Sequence, residues 1–152
     1  TTLATGLLIA LLTTRAGADS STVERAVLTI ELGEVAFAAA MEAKAHQEGG
    51  AIAIVDECNL IYLERLEGTF PAGANVSIGK ARTAALFQNP SAFEEIIKGD
   101  RTPMIALADF APLQGGVPIV IGGKVIAAIG VSGAASQVRD EAIAKAGAAA
   151  LQ

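Results

Sequence analysis

The sequence predicts a single α+β domain, an antiparallel β-sheet flanked by α-helices. Three observations predict it. The chain has 152 residues, the length of one domain with one core. Its apolar segments read helix, hairpin, helix, hairpin, helix from Thr29 onward. A Gly122-Gly123 pair between two apolar runs supplies the positive φ angles of a tight hairpin.

Each element follows from local chemistry. Thr29 is a plausible N-cap for a helix to about Glu48. Leu32, Val35, Ala36, Ala39 and Ala43 share one face of it, and Gly49-Gly50 ends it. Ala51 to Val55 is a continuous apolar run, as a buried central strand requires. Asp56-Glu57-Cys58-Asn59 carries turn chemistry. Leu60 to Leu66 is the returning strand, with Leu60, Tyr62 and Glu64 on one face and Ile61, Leu63 and Arg65 on the other. Glu67 to Ala74 is a loop. Asn75 or Ser77 caps a second helix through about Phe87. Asn89-Pro90-Ser91 breaks it, and Ser91 caps a short helix over Phe93 to Ile97. Met104 to Ala108 reads as a strand or an irregular buried stretch. Val117 to Ile121 and Lys124 to Val131 form the second hairpin. Ser136 caps the last helix, with Asp140 and Glu141 near its start, the end that favours carboxylates.

Composition narrows function. Hydrophobic residues make up 52%, charged residues 18% and aromatics 4%. Low charge points to outer surface buried in a homo-oligomer. A net charge of −5 with no basic stripe argues against a nucleic-acid partner. The lone Cys58 excludes an intrachain disulfide and a cysteine-rich zinc site; it reads as a small hydrophobe beside a turn. Residues 1–26 read as an apolar N-terminal extension to a domain over 27–152. Leu3 to Leu12 is apolar, and Ala16-Gly17-Ala18 fits a signal-peptidase site. No Lys or Arg precedes the run, so a retained helix in a cytoplasmic protein competes with a signal peptide and export. The run is too short to be an integral membrane segment.

Four segments then carry a resemblance: AIAIVDECNLIYLERLEGT (Ala51 to Thr69), SIGKARTAALF (Ser77 to Phe87), GGVPIVIGGKVIAAIGVSG (Gly115 to Gly133) and the helix from Asp140-Glu141 to Ala146-Gly147. In this order they resemble the GlcG/HbpS-like family of haem-binding proteins, found also as the C-terminal domain of PduO-type cobalamin adenosyltransferases. Glu57-Cys58-Asn59 departs from the glycine-containing turn usual there. The resemblance implies a profilin-like antiparallel sheet flanked by helices, assembly into oligomers, and haem as the ligand.

Candidate site residues follow. Lys80 and Thr83 lie on one helical face and fall on the family's Lys-Ala-x-Thr-Ala pattern. A lysine beside a hydroxyl holds a carboxylate such as a haem propionate; alternatively its stem covers apolar surface. Gly115 and Gly116, with Ser132 and Gly133, let backbone approach a ligand, and Ser132-Gly133 precedes a helix N-terminus. His46, the only histidine, falls about 40° from Leu32 on the packed face and is the candidate haem-iron ligand. Tyr62 and Met104 read as core. Lys80, Glu64 and Glu141 are the candidate catalytic groups, although no spacing singles out a base.

Three functions stay open. The first is binding of haem or a related tetrapyrrole. The second is cofactor-independent proton transfer, isomerase- or lyase-type, on a small carboxylate or carbonyl metabolite. The third is a non-catalytic oligomeric sensor or assembly module.

Overall fold

The computed structural model describes residues 20–57, 59–89, 98–100, 102–106 and 108–151. Cys58, the N-terminal residues 1–19 and the expected Phe93–Ile97 helix lie outside them, as does the side chain of Met104.

Helix α1 spans Ser20–Ala45, starting earlier than the expected Thr29 cap. No Gly or Pro interrupts the chain between Ser20 and Leu32, so the helix has no reason to begin later. It therefore runs through the expected boundary at residue 26. The five-residue stripe is its core face: Leu32, Val35, Ala36, Ala39 and Ala43 are all buried. Its end comes before the glycines. Gln47 takes a left-handed φ of 55°. The Glu48 N–H then bonds Ala43 O and the Gln47 N–H bonds Lys44 O, closing a Schellman motif.

Strands β1 (Ala51–Asp56) and β2 (Asn59–Arg65) form the first hairpin. Helix α2 spans Gly73–Phe87. It begins before Asn75 and Ser77, and Ser77 instead bonds back to Ala74 O at 2.8 Å. Thr102–Ala106 is a 3₁₀ helix rather than a strand. Pro103, near its start, suits a helical first turn and cannot donate to a sheet. Strands β3 (Gly116–Ile121) and β4 (Lys124–Ser132) form the second hairpin. Gly122 and Gly123 turn it with φ of 57° and 77°, the two positive angles of a type I′ turn. Helix α3 spans Gln137–Ala148, and its N-cap Ser136 accepts from Arg139 N–H as the sequence predicts.

The four strands form one antiparallel sheet in the order β2-β1-β4-β3. Helices α1 and α3 cover one face, packing on Ile52, Ile54, Val117, Ile119, Ile129 and Val131. Helix α2 covers the other, with Ala81, Ala84 and Ala85 on Ala53, Val55 and Ala128. Because β1 is covered on both faces, it reads as an unbroken apolar run. Helix α2 lies almost backbone-to-backbone on the sheet. A Cβ at Gly130 would stand 2.1 Å from Ser77 O, and one at Gly116 2.3 Å from Lys80 O. No helix among the described residues is long and apolar enough to cross a membrane.

Candidate functional site

The close docking of α2 brings most of the expected site residues together, and closes the space between them. Lys80 is 2% exposed. Its Nζ donates to Asp140 Oδ2 at 2.8 Å and to Val131 O at 2.9 Å. Asp140 Oδ1 accepts from the N–H groups of Gly133 and Ala134, at 3.0 and 2.9 Å. Gly115 makes room for this contact: a Cβ there would stand 3.0 Å from Lys80 Nζ and 2.9 Å from the Asp140 Cβ. Ser132 is buried beside them, paired with Ala51 at the end of β4. The anion that Lys80 holds is thus the chain's own Asp140. No buried side-chain nitrogen or oxygen among the described residues lacks a partner. Lys80, Gly115, Ser132 and Gly133 tie α2 to α3 around the end of the sheet.

Thr83 is also engaged. Its hydroxyl donates to Gly79 O at 2.8 Å and accepts from Ala111 N–H at 3.0 Å. Glu64 and Glu141 do not join Lys80. Glu64 sits on β2 opposite Ile52. Glu141 meets Gln114 and, at 2.5 Å, Lys145. His46 departs from its expected place on the packed face. The helix ends at Ala45, three residues short of the expected Glu48, and the His46 side chain is 54% exposed, 3.2 Å from Glu42. Tyr62 departs too: it lies on the exposed strand β2, not in the core. His46 follows α1, whereas Lys80 and Thr83 belong to α2 on the other face of the sheet.

Beside Thr83 lies an open cleft of about 530 Å³. Helix α2 supplies Asn75, Val76, Ile78, Gly79 and Arg82; the segment 109–111 supplies the opposite wall. Two contacts hold that wall. Thr83 binds the Ala111 backbone, and Phe110 packs edge-on against Phe87 with ring centroids 5.6 Å apart. Gly79 permits the approach, since a Cβ there would stand 2.9 Å from the Ala111 Cβ. Arg82 stands 3.8 Å from Asp109 at the mouth. The result is a groove of mixed lining, apolar at Val76, Ile78, Phe110 and Ala111 and polar at Asn75, Arg82 and Asp109. Arg82 and Phe110 are functional candidates that sequence reasoning missed. The α2 periodicity held a signal for Arg82, which falls two positions from Lys80 and so on the solvent side.

A second charged cluster joins α1 to α3. Arg139 grips Glu48 through Nε and Nη2, at 3.0 and 2.8 Å, and reaches Glu42 at 3.1 Å. These hydrogen bonds hold the Glu48 carboxyl below its ordinary value of 4.5 and push Arg139 up. No group of three His, Cys, Asp or Glu among the described residues is placed to hold a metal.

This fold and sequence have relatives. Residues 29–149 match the family model described as haem degrading protein HbpS-like. Protein GlcG of Escherichia coli K12 is 35% identical over 111 residues, covering 71% of this chain and 83% of that protein. The crystal structure of HbpS superposes with a TM-score of 0.77 at 29% identity, covering 82% of this chain and 89% of that one. The crystal structure of a PduOC–haem complex superposes with a TM-score of 0.72 at 21% identity, covering 79% and 91%. With four-fifths of its length matched and the sheet order and helices of the fold in place, the chain belongs to the HbpS-like family.

Proposed function

We propose that the protein binds haem or a related tetrapyrrole in the cleft between α2 and residues 109–111. The observation that carries this reading is the cleft itself: Val76, Ile78, Phe110 and Ala111 give it apolar walls, and Asn75, Asp109 and the Arg82 guanidinium, 3.8 Å from Asp109, line it as well. Its volume of about 530 Å³ falls within the range of roughly 300–1,000 Å³ usual for small-molecule sites. A tetrapyrrole is a broad apolar plate with carboxylates at one edge. The walls suit the plate, and Arg82 suits a carboxylate, which a guanidinium grips with two parallel hydrogen bonds. The family's description and the haem complex of PduOC support the same ligand class.

No His, Cys, Met or Tyr lines the described wall. The residues present therefore fit the macrocycle and its carboxylates. They would hold the plate by apolar contact and carboxylate pairing. Bound haem would bring redox-active iron; the chain's part is to orient the plate and keep water from one face. Thr83 positions the Ala111 wall, and the Lys80–Asp140 pair fixes α2 beneath it.

Haemin titration tests the reading. A Soret band that shifts and saturates at one haemin per chain is expected. Arg82→Ala removes a charge-assisted contact of about 1.5–3 kcal/mol and weakens binding by about ten-fold or more. Phe110→Ala weakens it as well, and His46→Ala leaves it unchanged. No spectral change beyond free haemin refutes the reading. Loss of binding with His46→Ala but not with Arg82→Ala moves the site to the α1 side.

A further inference from the structure

Helix α2 carries two cations, Lys80 and Arg82, each set against an aspartate. Burial makes the two pairs different. Lys80 and Asp140 stand 2.8 Å apart, with side chains 2% and 7% exposed. Neither leaves the other without stranding a charge away from water. Arg82 and Asp109 stand 3.8 Å apart, beyond hydrogen-bond range, with side chains 30% and 79% exposed. A contact of that length and exposure is weak and screened. The first pair is a fixture of the fold. The second opens readily, because the Asp109 carboxylate is already mostly in solvent and gives up Arg82 with little change in its hydration.

The backbone keeps Asp109 at the mouth of the cleft. Its φ is 66°, a left-handed conformation that aspartate and asparagine adopt more easily than most residues. The next two residues are fastened to α2. Phe110 packs on the Phe87 ring, and the Ala111 N–H donates to the Thr83 hydroxyl. Rotation of one short side chain therefore separates the pair, and the main chain at 109–111 stays where it is.

We propose that Asp109 is the charge-selecting residue of the cleft, a resident carboxylate that stands at Arg82 until a ligand carboxylate takes its place. The inference rests on the tetrapyrrole reading of the cleft and adds to it a residue that works against the ligand's charge. A ligand carboxylate meets the guanidinium fork at hydrogen-bond distance, closer than the 3.8 Å at which Asp109 stands. The exchange is favourable on that account. Asp109 then remains beside the bound carboxylate as a like charge, because its backbone is fixed, and it weakens the complex. Before binding, the Asp109 and Arg82 charges offset each other, so this pair exerts little long-range pull on an anion. An uncharged ligand of the same shape meets neither effect. Asp109 thus lowers affinity for the carboxylated plate alone and eases its release, while the apolar walls treat acid and ester alike.

Iron-free protoporphyrin IX, which carries carboxylates, and its uncharged dimethyl ester are the probes. Affinity is read by absorbance titration and association rate by stopped flow over a range of salt concentrations. Asp109→Asn keeps the size and the left-handed backbone and removes only the charge. It is expected to bind the free acid about two- to five-fold tighter than wild type does, and the ester equally well. Its association rate with the acid is expected to be higher and to fall more steeply with salt. In an Arg82→Ala background the same substitution is expected to change neither affinity. Should Asp109→Asn fail to fold, Asp109→Gly, at ease at the same φ, is expected to show the same pattern. Affinity for the acid that is unchanged or weaker, equal gains for acid and ester, or a gain that persists without Arg82 would overturn the proposal. Wild-type protein that binds neither porphyrin would remove the tetrapyrrole reading itself, and this inference with it.

Discussion

Asp140→Asn isolates what the buried ion pair contributes. The amide keeps an oxygen for the Gly133 and Ala134 N–H groups and removes only the charge facing Lys80. Lys80 is then a cation at 2% exposure with a single carbonyl, Val131 O, as partner. Orphaning one member of a buried pair costs about 3–5 kcal/mol. For a domain of this size each kcal/mol lowers Tm by roughly 2–4 °C, so a fall of about 10 °C is expected. Lys80→Met is expected to cost less, because Asp140 retains two backbone donors while the methionine fills the apolar stem's place. The double variant Lys80→Met/Asp140→Asn is expected to be more stable than the sum of the single effects by about 2–3 kcal/mol. Urea denaturation followed by far-ultraviolet circular dichroism gives all four corners of the cycle. Single effects that add to within about 0.5 kcal/mol would show that the contact carries no coupling and that Lys80 is held by packing alone.

Two further outcomes are expected. Gly130→Ala drives a methyl to 2.1 Å from Ser77 O, against backbone that cannot move without lifting α2, and should destabilise by about 3 kcal/mol or more or prevent folding; a Tm within about 2 °C of wild type would contradict the close approach. Glu48→Gln addresses pH. Arg139 depresses the Glu48 carboxyl, so its stabilisation is present above the ordinary value of 4.5 and is lost as pH falls through the lower folded value. Urea midpoints of wild type and Glu48→Gln should therefore differ at pH 6 and converge toward pH 3; a constant gap would remove Glu48 from the acid response.

Much of this fold is legible because the signals are local. The Gly122-Gly123 turn, the Ser136 cap and the α1 stripe each depend on neighbours within a few residues, and each stands where the sequence places it. What escapes is set by long-range contact. Strand β2 is apolar on both faces, so its composition resembles a buried strand; only its place at the edge leaves Tyr62 and Leu63 exposed. His46 falls just past the helix end, which a left-handed Gln47 marks, a residue type that seldom announces one. The partner of Lys80 lies 60 residues away, where no spacing rule reaches it.

The Lys80 result bears on how function is distributed over the fold. Lys80, Thr83, Gly115, Gly116 and Gly133 all fall in the segments that carry the family resemblance, and each is spent on joining elements: an ion pair, a backbone clasp, or a position where a side chain would collide. In this chain those segments set the way α2 lies on the sheet. The cleft is built from other positions on the same helix. Asn75, Val76 and Arg82 project from the side of α2 turned away from the sheet, and Phe110 comes from a segment outside the four motifs. Under the proposed function, the side chains that meet the ligand are those on the solvent side of α2, with Arg82 among them although it lies within the Ser77 to Phe87 segment.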